Sequence, residues 1–303
     1  PGVGNRRSPK DIFMLKEMSE DTLRVLEGRR DIACVLVNPL QALQPNRGAA
    51  SDAMLIDGRD DTAFDRGAYA AWLRELRAVC TRRGIALIFD EVFLGFRLGP
   101  RGAQGFFDVP ADLVTWGKTL GGGLPVGVLC GRAEWMRRYR EDRPTDICFA
   151  RGTFNAHPYV MTCMNEFLAV ATSEEFAQAA EAAPSTWDKR FAALNDQLEE
   201  AGFPVRLRNM LSVATVTYLA PGRYHWLLQY YLRAEGLSLG WIGTGRFIFS
   251  HDWSDAAFEE FSRRFLAAAQ RMSADGWWEG AAHSGNIRRQ VLREVLARRF
   301  LRA

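Results

Sequence analysis

The 303-residue sequence lacks the features that would assign it to several common classes of protein. No apolar run is long enough to cross a membrane, and residues 1–7 lack the apolar core of a signal peptide. The formal net charge of +3 is too small to indicate binding to nucleic acid. No segment repeats internally. We therefore expect a cytoplasmic protein that has neither a nucleic-acid nor a membrane partner.

Cysteine and histidine are scarce, and they are scattered along the chain. The five cysteines are an odd number without the paired spacing of a zinc site, so we expect reduced thiols. Cys34 stands in the apolar run 32–37, where we expect a buried structural thiol. The four histidines do not cluster as metal ligands do. The sequence therefore predicts no metal site.

The apolar content of 48% and the charged content of 25% are ordinary for a globular protein. A chain of this length can bury one large core or two modest ones. Strands are predicted at residues 12–15, 33–37, 85–89, 113–115 and 126–130. A helix is predicted at 64–82, and Gly84 stands where it should stop. This alternation is typical of an α/β fold with a mostly parallel sheet.

The second half of the chain has a different pattern. A helical region is predicted from Pro158 towards Leu198, with an interruption near Pro184. Beyond Gly202, a strand, a helix, a strand and a helix are predicted at 210–218, 226–234, 246–250 and 256–272. We therefore predict a large domain at 1–170, a smaller α+β domain at 171–275, and a linker with a basic amphipathic helix at 276–303. That last helix either docks a partner or packs back on its own domain.

A lysine stands between a predicted strand and three glycines, in the letters TWGKTLGGGLP at 115–125. Upstream, the buried strand 85–89 delivers Asp90 at its carboxyl end, which is where ligands bind in open α/β sheets. Glycines allow a bulky ligand to approach the backbone closely. Lys118 is therefore a candidate covalent catalyst beside Asp90. The alternative is an exposed loop lysine next to a flexible turn.

Several motifs occur in order along this part of the chain. They are FDEV at 89–92, GFR at 95–97, GAQ at 102–104, GK at 117–118, GGGLPVG at 121–127 and FARGTFNAHP at 149–158. From about residue 11 to about residue 278, the sequence resembles the class III pyridoxal-phosphate (PLP) aminotransferases, in the glutamate-1-semialdehyde aminomutase branch. Within that branch it is most similar to aminotransferase domains of polyketide and nonribosomal peptide assembly lines. The resemblance implies the PLP-dependent transferase fold type I.

The resemblance implies a role for each of five residues. Lys118 would form the Schiff base with PLP and move the proton, and Asp90 would pair with the pyridinium nitrogen. Val92 would pack against the cofactor ring, and Gln41 would approach the ring hydroxyl. Thr153 would reach the phosphate of the neighbouring subunit's cofactor, which implies a homodimer. The family's serine/glycine phosphate turn has no equivalent before residue 31, so we expect this chain to be the C-terminal portion of a longer enzyme.

Some positions depart from the family pattern or leave a choice open. Asn38 stands where relatives usually carry glutamate, and His157 replaces an asparagine of the wider class but is shared by the assembly-line subgroup. Arg97 would bind a substrate carboxylate or phosphate, or else be structural.

Three functions remain open at this point. The first is transfer of an amino group from an amino-acid donor to a keto or β-ketoacyl thioester substrate, possibly on an acyl carrier protein. The second is glutamate-1-semialdehyde 2,1-aminomutase activity. The third is a catalytically silent fragment that serves as a structural module. The first is the leading hypothesis, because the letters GTF and HP at 152–158 resemble those of the assembly-line aminotransferase domains.

Overall fold

The computed structural model describes residues 12–39, 65–147, 152–219, 222, 224–238, 246–278, 293–294 and 296–297. A four-stranded sheet forms its first layer, in the order β1 (Cys34–Val37), β2 (Ala86–Asp90), β3 (Leu113–Gly117) and β4 (Gly127–Gly131). The first three strands are parallel neighbours, and β4 runs antiparallel to β3. The prediction of a mostly parallel sheet is confirmed. The carboxyl ends of β1, β2 and β3 therefore meet at one edge.

Helix α2 (Arg66–Arg83), which follows α1 (Glu20–Gly28), shows why this part of the chain was predictable. The Asp65 carboxylate caps its first turn by accepting from the Ala68 N–H at 2.9 Å. Its buried face repeats at helical spacing and ends at Gly84, which adopts a left-handed conformation at φ +66°. The chain then enters β2 two residues later, as the apolar run predicts.

Two predictions at the start of the described chain are wrong. Residues 12–15 form no strand, and Ile12, Phe13 and Met14 are exposed. Apolar residues form a strand only when another strand is available for pairing, and none lies beside them in the described part. Cys34 is exposed rather than buried, because β1 is at the edge of the described sheet and its alternate residues Cys34 and Leu36 face away from the core.

The predicted interruption at Pro184 is also wrong. Helix α4 (Pro158–Ala171) ends at Thr172, and α5 (Glu174–Glu200) runs without a break through Pro184. Ser173 caps α5 by accepting from the Phe176 N–H at 3.2 Å. The buried side chains of Trp187 and Phe191 follow the proline in α5, so packing outweighs the hydrogen bond that proline removes.

The remaining described helices and strands lie partly before α4 and partly after α5. They are α3 (Gly102–Phe107), the hairpin β5 (Tyr139–Arg140) and β6 (Arg143–Ile147), the strands β7 (Val205–Met210), β8 (Val213–Tyr218) and β9 (Arg246–Ile248), and the helices α6 (Leu228–Ala234) and α7 (Asp255–Ala274). Strands β7, β8 and β9 form an antiparallel sheet against which α5 packs. The predicted strand at 210–218 is in fact β8 preceded by the turn from β7.

An aromatic core joins α5, α7 and the end of β9. Phe249 contacts the rings of Trp187, Phe258 and Phe261 at centroid distances of 5.2, 5.8 and 5.1 Å. The described elements after Gly202 therefore form a smaller α+β unit that packs on α5, while the division of the chain into domains at 170 and 275 stays a prediction. No helix in the described ranges is long and apolar enough to cross a membrane.

Candidate active site

Asp90, the last residue of β2, lies opposite Thr115, the middle residue of β3. The Thr115 hydroxyl donates to Oδ1 of Asp90 at 3.2 Å, and the Val92 N–H donates to the same oxygen at 3.1 Å. Among the described residues, none donates to Oδ2. The half-buried Asp90 carboxylate therefore has one oxygen held by the fold and one open to a cationic partner.

Lys118 follows Gly117, the last residue of β3, and so lies at this same edge. A Cβ at position 117 would lie 3.0 Å from the Val126 carbonyl oxygen and 3.2 Å from Cγ1 of Val92, so glycine allows the backbone to pass. Lys118 has φ +49°, a left-handed conformation that is uncommon outside glycine. The structure thus places Lys118, Asp90 and Val92 at one edge of the sheet, and their roles toward a cofactor stay predictions.

The glycine triplet packs against helix α4. Gly122, at φ +57°, directly follows the one-turn 3-10 helix Lys118–Gly121. A Cβ at position 122 would lie 3.3 Å from Cβ of Cys163. Leu120 in that turn is buried in a small cluster with Phe96. The backbone that carries Lys118 is therefore packed, although the lysine side chain itself is exposed. This arrangement argues against a lysine on a flexible loop.

Gln41, Thr153 and Asn38 are the other residues near the site that the resemblance singles out. Gln41 lies outside the described residues. Thr153 is exposed in the turn 152–157 before α4, and within the described ranges no contact joins it to Lys118. Asn38 follows β1 and is half-buried at the same edge as Asp90. The roles predicted for Gln41 and Thr153 stay predictions.

Arg97 is held by backbone carbonyls. Its Nε donates to the Phe93 carbonyl at 3.3 Å and its Nη1 to the Phe249 carbonyl at 3.5 Å. Burial lowers the pKa of its guanidinium. These contacts tie the turn after β2 to the end of β9, which favours the structural alternative for Arg97.

Glu91 is a buried acid that the sequence analysis did not single out. Its Oε2 accepts from the Ala103 N–H at 2.6 Å, while no described residue donates to Oε1. Burial raises its pKa to about 7. A Cβ at position 102 would overlap the Glu91 carboxylate and approach the Trp116 ring at 2.8 Å, so Gly102 makes room for both. Glu91 therefore anchors the first turn of α3 beside Asp90, and its place in the FDEV motif was the available signal.

Arg246 is a second residue that the sequence analysis did not single out. It begins β9 opposite Thr215, and its guanidinium carbon lies 5.9 Å from the centroid of the Phe93 ring. Its Nε is buried, and no described residue accepts from it. Burial lowers the pKa of Arg246. A charged residue at the start of an apolar strand is a sequence signal for a functional residue. Only the fold shows that Arg246 lies near Lys118, since both side chains contact the Phe93 ring.

Comparison with known proteins gives a family match over most of the chain. The model for "Aminotransferase class-III" matches residues 65–261. A glutamate-1-semialdehyde 2,1-aminomutase of Methanococcus maripaludis is 33% identical over 170 residues, which are 55% of this chain and 34% of that protein. The same enzyme of Nitratidesulfovibrio vulgaris is 40% identical over 151 residues, which are 48% of this chain and 33% of that protein. The chain thus spans about a third of the length of these two relatives.

Solved structures show the same fold. An omega-transaminase from Sphaerobacter thermophilus matches with a TM-score of 0.66 at 24% identity, over 84% of this chain and 56% of that one. A β-phenylalanine aminotransferase from Variovorax paradoxus matches with a TM-score of 0.69 at 23% identity, over 89% of this chain and 60% of that one. At these identities the likeness concerns the fold alone.

Proposed function

The chain belongs to the class-III aminotransferase family, and from that premise we propose that it binds pyridoxal 5′-phosphate and transfers an amino group to a keto substrate. Its fold is the PLP-dependent transferase fold type I. The observation that carries the proposal is the meeting of Lys118, Asp90 and Val92 at one sheet edge.

The residues at this edge fit the cofactor. When bound, PLP supplies an aldehyde carbon and an electron-withdrawing ring. The open Oδ2 of Asp90 is the group that would hold the ring nitrogen in its protonated form, because a nearby carboxylate favours the cation. The Lys118 side chain is exposed, and its Nζ would bind the aldehyde, then move a proton at the substrate Cα. Val92 would pack against the ring.

Arg246 is the residue that we propose binds the substrate. A guanidinium binds a carboxylate through two parallel hydrogen bonds, and the buried Nε of Arg246 has no acceptor among the described residues. We assign it to the carboxylate of an amino-acid donor. The acceptor that the motifs GTF and HP at 152–158 favour is a β-ketoacyl thioester on an acyl carrier protein, in polyketide or nonribosomal peptide synthesis.

A homodimer is part of the same proposal. Helix α4 and the turn before it expose large apolar side chains, including Phe154, Tyr159 and Met161. A second copy placed there would bring Thr153 to the phosphate of its neighbour's cofactor. The chain spans 34% and 45% of the length of two Methanococcus maripaludis relatives. We propose that the phosphate-binding turn comes from an N-terminal remainder of the enzyme.

Two alternatives have their own support. Glutamate-1-semialdehyde 2,1-aminomutase activity is favoured by the names of the relatives in M. maripaludis and N. vulgaris. A silent structural module is favoured by Asn38, which removes a charge that relatives usually carry at this edge. The first alternative predicts turnover of a free substrate without a carrier protein, and the second predicts no turnover of either substrate.

The proposal is tested by titrating a longer protein, in which this chain is joined to the proposed N-terminal remainder, with PLP and recording absorbance spectra of the wild type, Lys118→Ala and the control Lys189→Ala. We expect a shifted cofactor band in the wild type and the control, and none in Lys118→Ala. An identical spectrum in all three would contradict the proposal. Amino transfer from glutamate to a free keto acid and to a carrier-bound β-ketoacyl thioester then separates the transferase from its alternatives.

A further inference from the structure

The aromatic ring of Phe93 contacts three cationic side chains. Nζ of Lys118 lies 5.2 Å from its centroid, and the guanidinium carbons of Arg97 and Arg246 lie at 5.4 and 5.9 Å. Phe93 is half-buried and lies three residues after Asp90, in the turn that follows β2. One ring therefore joins the lysine of the proposed site to two arginines from different parts of the fold.

Phe93 is fixed from both sides. Its carbonyl accepts from Nε of Arg97, and the same guanidinium reaches the Phe249 carbonyl at the end of β9. The Phe93 side chain also packs against the main core. Because its backbone and its ring are both held, Phe93 cannot move away without disturbing the smaller unit.

Lys118 differs from Phe93 in this respect. Its side chain is exposed, and it makes no salt bridge among the described residues. A free lysine side chain samples many rotamers, and holding it in one of them costs conformational entropy. The negative face of an aromatic ring attracts an ammonium group within about 6 Å. The ring thus restricts the positions that Nζ occupies.

We propose that Phe93 is a positioning residue for Lys118: its ring holds Nζ at the sheet edge where Asp90 and Val92 would contact the cofactor. The proposal rests on the proposed function, because it assigns the orientation of the lysine that would bind the PLP aldehyde. Phe93 itself touches neither substrate nor cofactor in this scheme. Its effect is on how often Nζ is placed for reaction.

The test measures the rate at which Lys118 reacts with PLP in the presence of cyanoborohydride. The amine and the aldehyde lose water, and the reductant delivers a hydride to the resulting carbon, which gives a stable secondary amine. Peptide mapping by mass spectrometry separates the four lysines of the chain, Lys10, Lys16, Lys118 and Lys189. The reaction at Lys189 serves as an internal reference.

Three variants are compared with the wild type. Phe93→Leu keeps an apolar side chain but removes the ring, Phe93→Tyr keeps the ring, and Phe106→Leu removes a half-buried ring that contacts Phe107. We expect Phe93→Leu to slow the reaction of Lys118 relative to Lys189 about two- to five-fold, as the loss of one exposed cation–ring contact predicts. Phe93→Tyr and Phe106→Leu should match the wild type.

Several results would overturn the inference. They are an unchanged or faster reaction at Lys118 in Phe93→Leu, the same slowing in Phe93→Tyr, and equal slowing at Lys118 and Lys189. If the proposed function itself is wrong, Lys118 of the wild type should react no faster than Lys189. Fast reaction of Lys118 in both the wild type and Phe93→Leu refutes only the role of Phe93.

Discussion

His225 makes the stability of this protein depend on pH in a direction that can be measured. Its ring is fully buried, stacks on Tyr218 at 4.5 Å and meets Trp278 edge-on at 5.5 Å. No described residue bonds to either ring nitrogen. Burial without a partner favours the neutral ring and lowers the pKa from its usual 6.5 to about 4.

The sign and size of the effect follow from these two values. Below pH 6.5 the unfolded chain takes up a proton that the folded chain does not accept until about pH 4. The stability that neutral His225 contributes is therefore complete above pH 6.5 and is lost as the pH falls towards 4. Between pH 7.5 and pH 5.0 the loss is about 2 kcal/mol.

The assay is urea unfolding of the wild type and His225→Phe at pH 7.5 and 5.0, followed by tryptophan fluorescence. The wild type should lose about 2 kcal/mol more than His225→Phe over this range, because all other titrating groups are common to both. Tyr218→Phe, which removes the hydroxyl that donates to the His225 carbonyl at 3.1 Å, should keep the pH dependence of the wild type. Equal pH dependence in the wild type and His225→Phe would refute the reasoning.

Three further predictions concern the site and its support. The contribution of protonated Glu91 to stability is complete below pH 4.5 and is lost as the pH rises through 7. Glu91→Gln should therefore stabilise the protein relative to the wild type by about 2.5 kcal/mol more at pH 8 than at pH 5 in urea unfolding. Asp112→Asn should cost about 3 kcal/mol in thermal unfolding, because it removes the charged partner of the mostly buried Arg77 guanidinium, which donates to Asp112 at 2.6 Å. The exposed Asp142→Asn should cost little. Gly117→Ala should weaken PLP binding in a spectrophotometric titration. Gly127→Ala is the control and should not weaken it, because a Cβ at position 127 would meet nothing within 4 Å. Equal affinities of the two variants would count against the packing described at Lys118.

The parts of the fold that were predictable carry strong local signals. Helix α2 combines an apolar face at helical spacing with a capping aspartate and a terminal glycine. The strand β2 is a continuous apolar run that ends in Asp90. The lysine between a strand and three glycines pointed to the site for the same reason, because turn residues and strand ends are local features.

The parts that were missed depend on tertiary contacts. Strand β7 carries Arg206 and Arg208 between its apolar residues, so its pattern does not resemble a buried strand. In the fold, Nη1 of Arg206 donates to the carbonyls of Phe203 and Val205. These hydrogen bonds compensate for burying a guanidinium that the sequence alone would place in solvent. Arg246 came near Lys118 only through the packing of β9 against the turn that carries Phe93.

The most direct test of the account is a crystal structure, soaked with PLP, of this chain joined to the proposed N-terminal remainder. We predict continuous electron density from Nζ of Lys118 to the aldehyde carbon of the cofactor, with the Asp90 carboxylate within hydrogen-bond distance of the ring nitrogen. Density for the cofactor on Lys16 or Lys189, or a ring nitrogen that faces away from Asp90, would contradict the central claim that this sheet edge is a cofactor site.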